Sequence, residues 1–161
     1  MSWHEYFMRH VYLVASKSKD PSTKIGAVLV KDGVVISEGY NGFARRVMDL
    51  SERYNDRKIK YEFTVHAEHN AILNCARRGI STLDSILYTQ CLPCHKCADP
   101  VIQAGITEII VHKQWPTLTH SVWDKSSEIA TTKFTEAGVL IKYFNKKLNL
   151  TGFVDYKKIK V

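Results

Sequence analysis

Apolar positions recur along this chain with two periods, one helical and one of strands. Near the start, Trp3, Phe7, Val11 and Val14 fall at helical spacing with Tyr6 and His10 beside them, and Ser2-x-x-Glu5 reads as a capping box that opens the helix. Core packing is the expected role of these side chains. Asp20-Pro21 closes the helical region. Two β-rich runs, 25–30 and 34–37, then flank Lys31-Asp32-Gly33, an Asp-Gly hairpin signal. The helical pattern returns over 70–78 and stops at Gly79. A strand is expected at 85–89, a helix through 98–103 closed by Gly105, and a strand at 108–112. A helix at 121–137 ends before Gly138, and a last strand covers 139–144. The tail, 145–161, holds five lysines and is expected to be a flexible or surface-docked end.

The order α-β-β-α-β-α-β-α-β predicts an α/β chain, with one mixed sheet of about five strands and helices on both faces. Strands joined through helices should be parallel with right-handed crossovers. A site is expected at strand ends where helices begin. At 161 residues the chain reads as one domain, 1–161, large enough for a core. Its composition, 45% hydrophobic and 24% charged, is that of a soluble globular protein. The first residues show no basic segment followed by an apolar run, so no signal peptide is expected. No stretch approaches the roughly 18 apolar residues of a membrane span. Four cysteines, two of them in a metal-type motif, fit a reducing compartment and a cytoplasmic location. The net charge of +7 favours phosphate-bearing partners without separating a nucleotide from a polynucleotide, and a merely basic surface fits it as well.

Two stretches carry the chemistry: His66-Ala67-Glu68 and Pro93-Cys94-His95-Lys96-Cys97. A neutral imidazole from His66 and thiolates from Cys94 and Cys97 suit Zn²⁺, which takes such donors at about 2.0–2.3 Å in a tetrahedron. Three protein ligands leave the fourth position to water, the mark of a catalytic zinc. Residues two apart do not share a helix face, so His66 and Glu68 converge only at the start of a helix. Thr64 is a candidate N-cap there, and a second helix can begin after Pro93. The positive ends of two helices would then favour thiolate and hydroxide. A rival reading takes Cys91, Cys94 and Cys97 as the opening of an iron–sulfur run. That run wants a further Cys before a proline, but position 101 is Val and Pro100 precedes it. Cys91 is instead expected as a buried residue at a strand end.

In the loop 38–43, Gly39 and Gly42 bracket Tyr40 and Asn41. Such a loop lets backbone approach a ligand, and Asn41 offers a donor and an acceptor, although an ordinary Asn-Gly turn fits equally. The stretch 45–62 carries Arg45, Arg46, Arg53, Arg57, Lys58 and Lys60 among four acids. It reads as a solvated excursion with some helix, placed where a phosphate clamp would stand. Lys24, Arg45, Arg46, Arg53, Arg57 and Lys60 are the candidate phosphate contacts.

The pair H-x-E and P-C-x-x-C is the signature of zinc deaminases of nucleobases. With Ser18-Lys19-Asp20-Pro21-Ser22-Thr23-Lys24-Ile25-Gly26-Ala27-Val28, Gly39-Tyr40-Asn41-Gly42 and Asn70-Ala71-Ile72, the chain resembles the deoxycytidylate (dCMP) deaminases of the cytidine deaminase-like superfamily over residues 3–144. The resemblance implies a three-layer cytidine deaminase-like fold, zinc on His66, Cys94 and Cys97, and Glu68 as proton shuttle. It places Asn41 on the sugar, the Ala67 N–H on the base carbonyl, and Tyr40, Gly42 and Lys24 in the substrate site. The implied reaction is hydrolytic deamination of dCMP to dUMP and ammonia. The implied assembly is a homo-oligomer, hexamer or dimer, and many members respond to dCTP and dTTP. Phe43-Ala44-Arg45-Arg46-Val47 lacks the Pro and Gly usual there, which argues against that regulation, and no extra Cys-x-x-Cys offers a second zinc site. The alternatives are a deaminase for dCTP or a modified cytosine nucleotide, one acting on a base in tRNA or single-stranded DNA, and a non-catalytic zinc assembly module. The intact Glu68 argues against the last.

Overall fold

A computed structural model describes residues 1–115 and 121–161. The first helix, α1 (Trp3–Ala15), opens as its sequence dictates: the Ser2 hydroxyl accepts from the Glu5 N–H at 3.2 Å. The Glu5 carboxylate is buried and takes Arg9 and Lys146 as partners. Phe7, Val11 and Val14 are core residues as expected, but Trp3 is 71% exposed and Tyr6 is exposed as well. Phe7 already fills that part of the core, and Trp3 stacks on it at a centroid distance of 5.8 Å as an outer cover.

Strands β1 (Gly26–Lys31) and β2 (Val34–Tyr40) form the predicted hairpin, with Asp32 and Gly33 at φ 51° and 76° in its turn. The second strand outruns the expected 34–37 and reaches Tyr40. There follow a two-residue strand β3 (Gly42–Phe43), short helices α2 (Ser51–Asn55) and α3 (Arg57–Phe63), and β4 (Thr64–Val65). Then come α4 (Ala67–Arg78), β5 (Ile86–Thr89), α5 (His95–Gln103), β6 (Glu108–His112), α6 (Ser121–Glu136) and β7 (Leu140–Phe144). A last hairpin pairs β8 (Thr151–Val154) with β9 (Lys157–Lys160).

The five-stranded sheet has the order β2-β1-β5-β6-β7. β1 runs antiparallel to both its neighbours, and β5, β6 and β7, joined through α5 and α6, run parallel as expected. Side chains alternate across it. Ala27, Leu29, Leu87, Ile109 and Val111 pack with Ala67, Ala71 and Cys75 of α4, Ala98 and Val101 of α5, and Ala130 and Phe134 of α6. Val28, Val30, Tyr88 and Ile110 pack with α1 and with Leu148, Val154 and Val161. The tail is therefore part of the α1 layer, docked rather than loose. Two glycines let the helices lie directly on the sheet. A Cβ on Gly26 would meet the Val11 carbonyl of α1, and one on Gly39 would meet the backbone of Ala67 and Ala71 in α4. Among the described residues, no helix is long and apolar enough to cross a membrane.

Candidate active site

Two helix starts meet at the ends of the sheet. β3 pairs with β4, Gly42 against Val65 and Phe43 against Thr64, and this short ladder delivers the chain into α4. His66 is the N-cap residue of α4 and Cys94 that of α5, and neither side chain caps its own helix. Thr64 does not cap α4, because it lies in β4, two residues before the His66 N-cap. Its hydroxyl donates to the Lys60 carbonyl at 2.7 Å and finishes α3.

His66 Nδ1 lies 3.5 Å from Cys94 Sγ and 3.4 Å from Cys97 Sγ. A tetrahedral zinc with bonds of about 2.0–2.3 Å separates nitrogen and sulfur by roughly 3.6 Å, so the donor set fits that ion. The electrostatics agree. Hydrogen bonds from Cys97 and His66 pull the Cys94 thiol down to about 3, while its bond to Cys94 and its burial push the Cys97 thiol up. One thiolate forms readily and the second needs a cation in the cage. Glu68 is 4% exposed, stands beside His66 and Cys97, and burial pushes its carboxyl above the usual range. Cys91 stays outside the cage, half-buried just beyond β5, so no fourth thiolate joins.

Other elements hold these helix starts in place. α4 is tied to β2 by Ser37 Oγ donating to the Ala71 carbonyl at 2.7 Å, and by Asn70 and Asn74 donating to the carbonyls of Tyr40 and Glu38 at 2.8 Å each. α5 is held by α6. The His95 N–H donates to Ser126 Oγ at 3.1 Å, His95 Nδ1 lies 2.9 Å from the same oxygen, and Lys133 donates to the His95 carbonyl at 3.1 Å. Nothing near Ser126 in the sequence announces that role.

A cavity of about 590 Å³ opens beside the cage, lined by His66, Ala67, Glu68, Cys91 and Cys94. Its wall also includes Asp20, Asn41, Arg57, Lys60, Tyr61, Trp115, Asp155 and Tyr156. Asn41 is on this wall with its amide engaged: Oδ1 accepts from the Ile25 N–H at 2.8 Å and Nδ2 donates to the Thr23 carbonyl at 2.9 Å. It fixes the segment leading into β1. Lys60 is buried with its charge already met, Nζ lying 3.2 Å from Asp20 Oδ1 and 2.6 Å from Ser22 Oγ. Arg57 is exposed, with Nε donating to the Tyr61 hydroxyl at 3.0 Å.

Among the described residues, Tyr40, Gly42, Lys24, Arg45, Arg46 and Arg53 do not line this cavity. Arg45 donates to Asn74, Lys24 to the Ser18 carbonyl, and Arg46 sits in a left-handed turn at φ 68°. Arg53 lies 4.5 Å over the Phe63 ring and donates to the Met48 carbonyl. The stretch 45–62 is mostly exposed and partly helical, as expected, and is anchored at two buried side chains, Lys60 and Tyr54, the latter stacked on Phe43 at 4.2 Å.

Several wall residues carry no sequence signal. Trp115 is 6% exposed and its indole N–H has no partner among the described residues. His112 is buried, with Nδ1 2.6 Å from the Tyr12 hydroxyl and Nε2 2.9 Å from the Lys146 carbonyl, which pins the start of the tail. Asp155 and Tyr156 come from the tail itself.

Against known proteins, the chain matches the cytidine and deoxycytidylate deaminase zinc-binding region over residues 1–113. It is 36% identical over 141 residues to the "uncharacterized deaminase in luxG 3′ region" of Aliivibrio fischeri, covering 88% of this chain and 92% of that one. It is 36% identical over 116 residues to the deoxycytidylate deaminase of Mus musculus, covering 68% of this chain and spanning 64% of the mouse protein. Among solved structures, the dCMP deaminase of cyanophage S-TIM5 in complex with dCMP and dUMP superposes with a TM-score of 0.69 at 22% identity, over 87% of this chain and 95% of that one. That likeness establishes the three-layer cytidine deaminase-like fold.

Proposed function

The chain belongs to the zinc-binding cytidine and deoxycytidylate deaminases, and we propose that within this family it converts dCMP and water to dUMP and ammonia. The observation that carries the reading is the three-donor cage of His66, Cys94 and Cys97 with the buried Glu68 beside it, opening on one cavity. A volume of about 590 Å³ suits a nucleotide, within the range of roughly 300–1,000 Å³ for small-molecule sites. The relatives named deoxycytidylate deaminase support the choice of substrate, although the chain spans only 64% of the mouse protein's length.

When bound, zinc supplies the Lewis acidity that activates water for attack at neutral pH. The residues of the chain do the rest. Glu68 takes the proton released by the attacking water and passes it to N3 of cytosine. Oxygen joins C4, the C4–N bond breaks, and Glu68 helps protonate the departing ammonia. A carboxyl whose pKa is raised by burial is suited to hold that proton between the two transfers. The Ala67 N–H, in the first turn of α4, has no intrahelical acceptor and is free to donate to the base carbonyl. Asn41 orders the wall on the sugar side, and Arg57, the exposed arginine of the wall, meets the phosphate. Assembly as a hexamer or dimer belongs to the same reading, whereas a response to dCTP or dTTP is not expected from a loop without the usual Pro and Gly; sedimentation with and without the triphosphates tests both.

A second test is a panel of cytidine, dCMP, dCTP and a tRNA stem-loop, with ammonia release and zinc content measured together. dCMP should be deaminated best at about one zinc per chain. Release from the stem-loop alone, or bound zinc with no ammonia from any substrate, would overturn the proposal.

A further inference from the structure

The tip of the β8–β9 hairpin stands on the cavity wall, yet the hairpin lies outside residues 1–113 that match the family. It is firmly held. The Tyr156 N–H donates to the Ser22 carbonyl at 2.9 Å, the Asp155 N–H to Thr23 Oγ1 at 3.3 Å, and the Lys24 N–H to the Phe153 carbonyl at 2.9 Å. Next to the turn Val154 is buried, and further down β8 Gly152 packs against Trp115, which belongs to the same wall and whose indole N–H has no partner among the described residues.

The tip has an unusual conformation for its residues. Asp155 and Tyr156 have φ 50° and 61°, so both central turn positions are left-handed. Asp tolerates that region, but at the second position such turns favour glycine, and an aromatic side chain there is strained. Core packing does not offset the strain, since Tyr156 is 64% exposed. Strain kept without packing is characteristic of places where a side chain is held for a ligand. Asp155 and Tyr156 also lie within electrostatic reach of Arg57, which shares the cavity wall with them and donates to the Tyr61 hydroxyl.

Resting on the reading of the cavity as a nucleotide site, we propose that Asp155–Tyr156 forms a specificity-determining lip. The Tyr156 ring covers the sugar–phosphate end of the nucleotide. Asp155, beside Arg57, restricts that end to one phosphate, because each further phosphate brings negative charge toward a fixed carboxylate.

Two substitutions separate this role from folding. Tyr156→Gly relaxes the turn, so stability should stay level or rise, whereas KM for dCMP should rise about tenfold with a smaller change in kcat. Asp155→Asn keeps a residue that accepts the left-handed region, and should reduce the preference for dCMP over dCTP in kcat/KM by about tenfold. An unchanged KM in the first variant, or an unchanged preference in the second, overturns the lip while leaving the deaminase assignment intact. A parent chain that deaminates no cytosine nucleotide removes both. Urea denaturation and zinc content are measured on all three proteins.

Discussion

The zinc end of the pocket comes from two helix starts whose donors, His66 and Cys94, lie 28 residues apart, each set by a motif of a few residues. The opposite end draws on segments scattered along the chain: Asp20 and Ser22, Arg57 to Tyr61, Lys113 and Trp115, and the hairpin tip. At the first end the chemistry is concentrated and the supports are remote. At the second, the buried Lys60–Asp20 pair and the hairpin tip are held by contacts between segments far apart in the chain. Substitutions at the zinc end should therefore affect rate more than stability, and substitutions in the opposite wall should affect stability or affinity more than rate.

Glu68→Gln gives the largest expected effect. Turnover should fall about 10²–10⁴-fold, the usual contribution of general acid–base help, with zinc content and KM retained. Near-normal kcat in that variant would remove the contrast at its strongest point. Lys60→Ala tests the other end. It leaves Asp20 as a buried carboxylate without its cation, and should lower stability by about 3 kcal/mol in urea denaturation while the folded fraction keeps its zinc. A loss under about 0.5 kcal/mol would mean the Lys60–Asp20 pair does not hold that wall.

Ser126→Ala should sit between the two regions in behaviour. It removes the acceptor for the first N–H of α5, at a cost of about 0.5–2 kcal/mol, and should speed zinc loss to a chelator. Stability lost with unchanged zinc retention would show that α6 supports the fold but not the cage. The smallest effect is on pH dependence. Burial holds His112 below its ordinary value of 6.5, so as pH falls the unfolded chain takes up a proton before the folded one does. Stability should decline as the pH falls from 6.5 through the folded value, and His112→Gln should flatten the decline. An identical pH profile for the variant would assign the decline to other groups.

The same contrast explains what the sequence made legible. The cage was readable because helix starts and metal spacing are local, and the β1–β2 turn because Asp32-Gly33 states its own φ preference. The hairpin at 151–160 was not readable. Its turn carries Asp155-Tyr156 in place of a glycine, and β8 is only four residues long, with one of its two buried positions a glycine, so the alternation that buries Gly152 and Val154 leaves little pattern. The arginines of 45–53 looked like a phosphate clamp because charge is visible in a sequence and its local partners are not; Asn74 and the Phe63 ring engage Arg45 and Arg53. Trp3 kept its helical position but not its depth, since spacing sets the face of a helix and not how far the sheet extends beneath it.

Gly39 belongs neither to the donor cage nor to the cavity lining, yet the backbone of α4 rests on it at Ala67 and Ala71. A single added methyl would act as a wedge under the turn that bears the imidazole donor, lifting it from the two sulfurs. The thinness of one strand residue thus serves as a gauge for the metal cage, and the tolerance of that cage is read in fractions of a bond length at a position with no functional group.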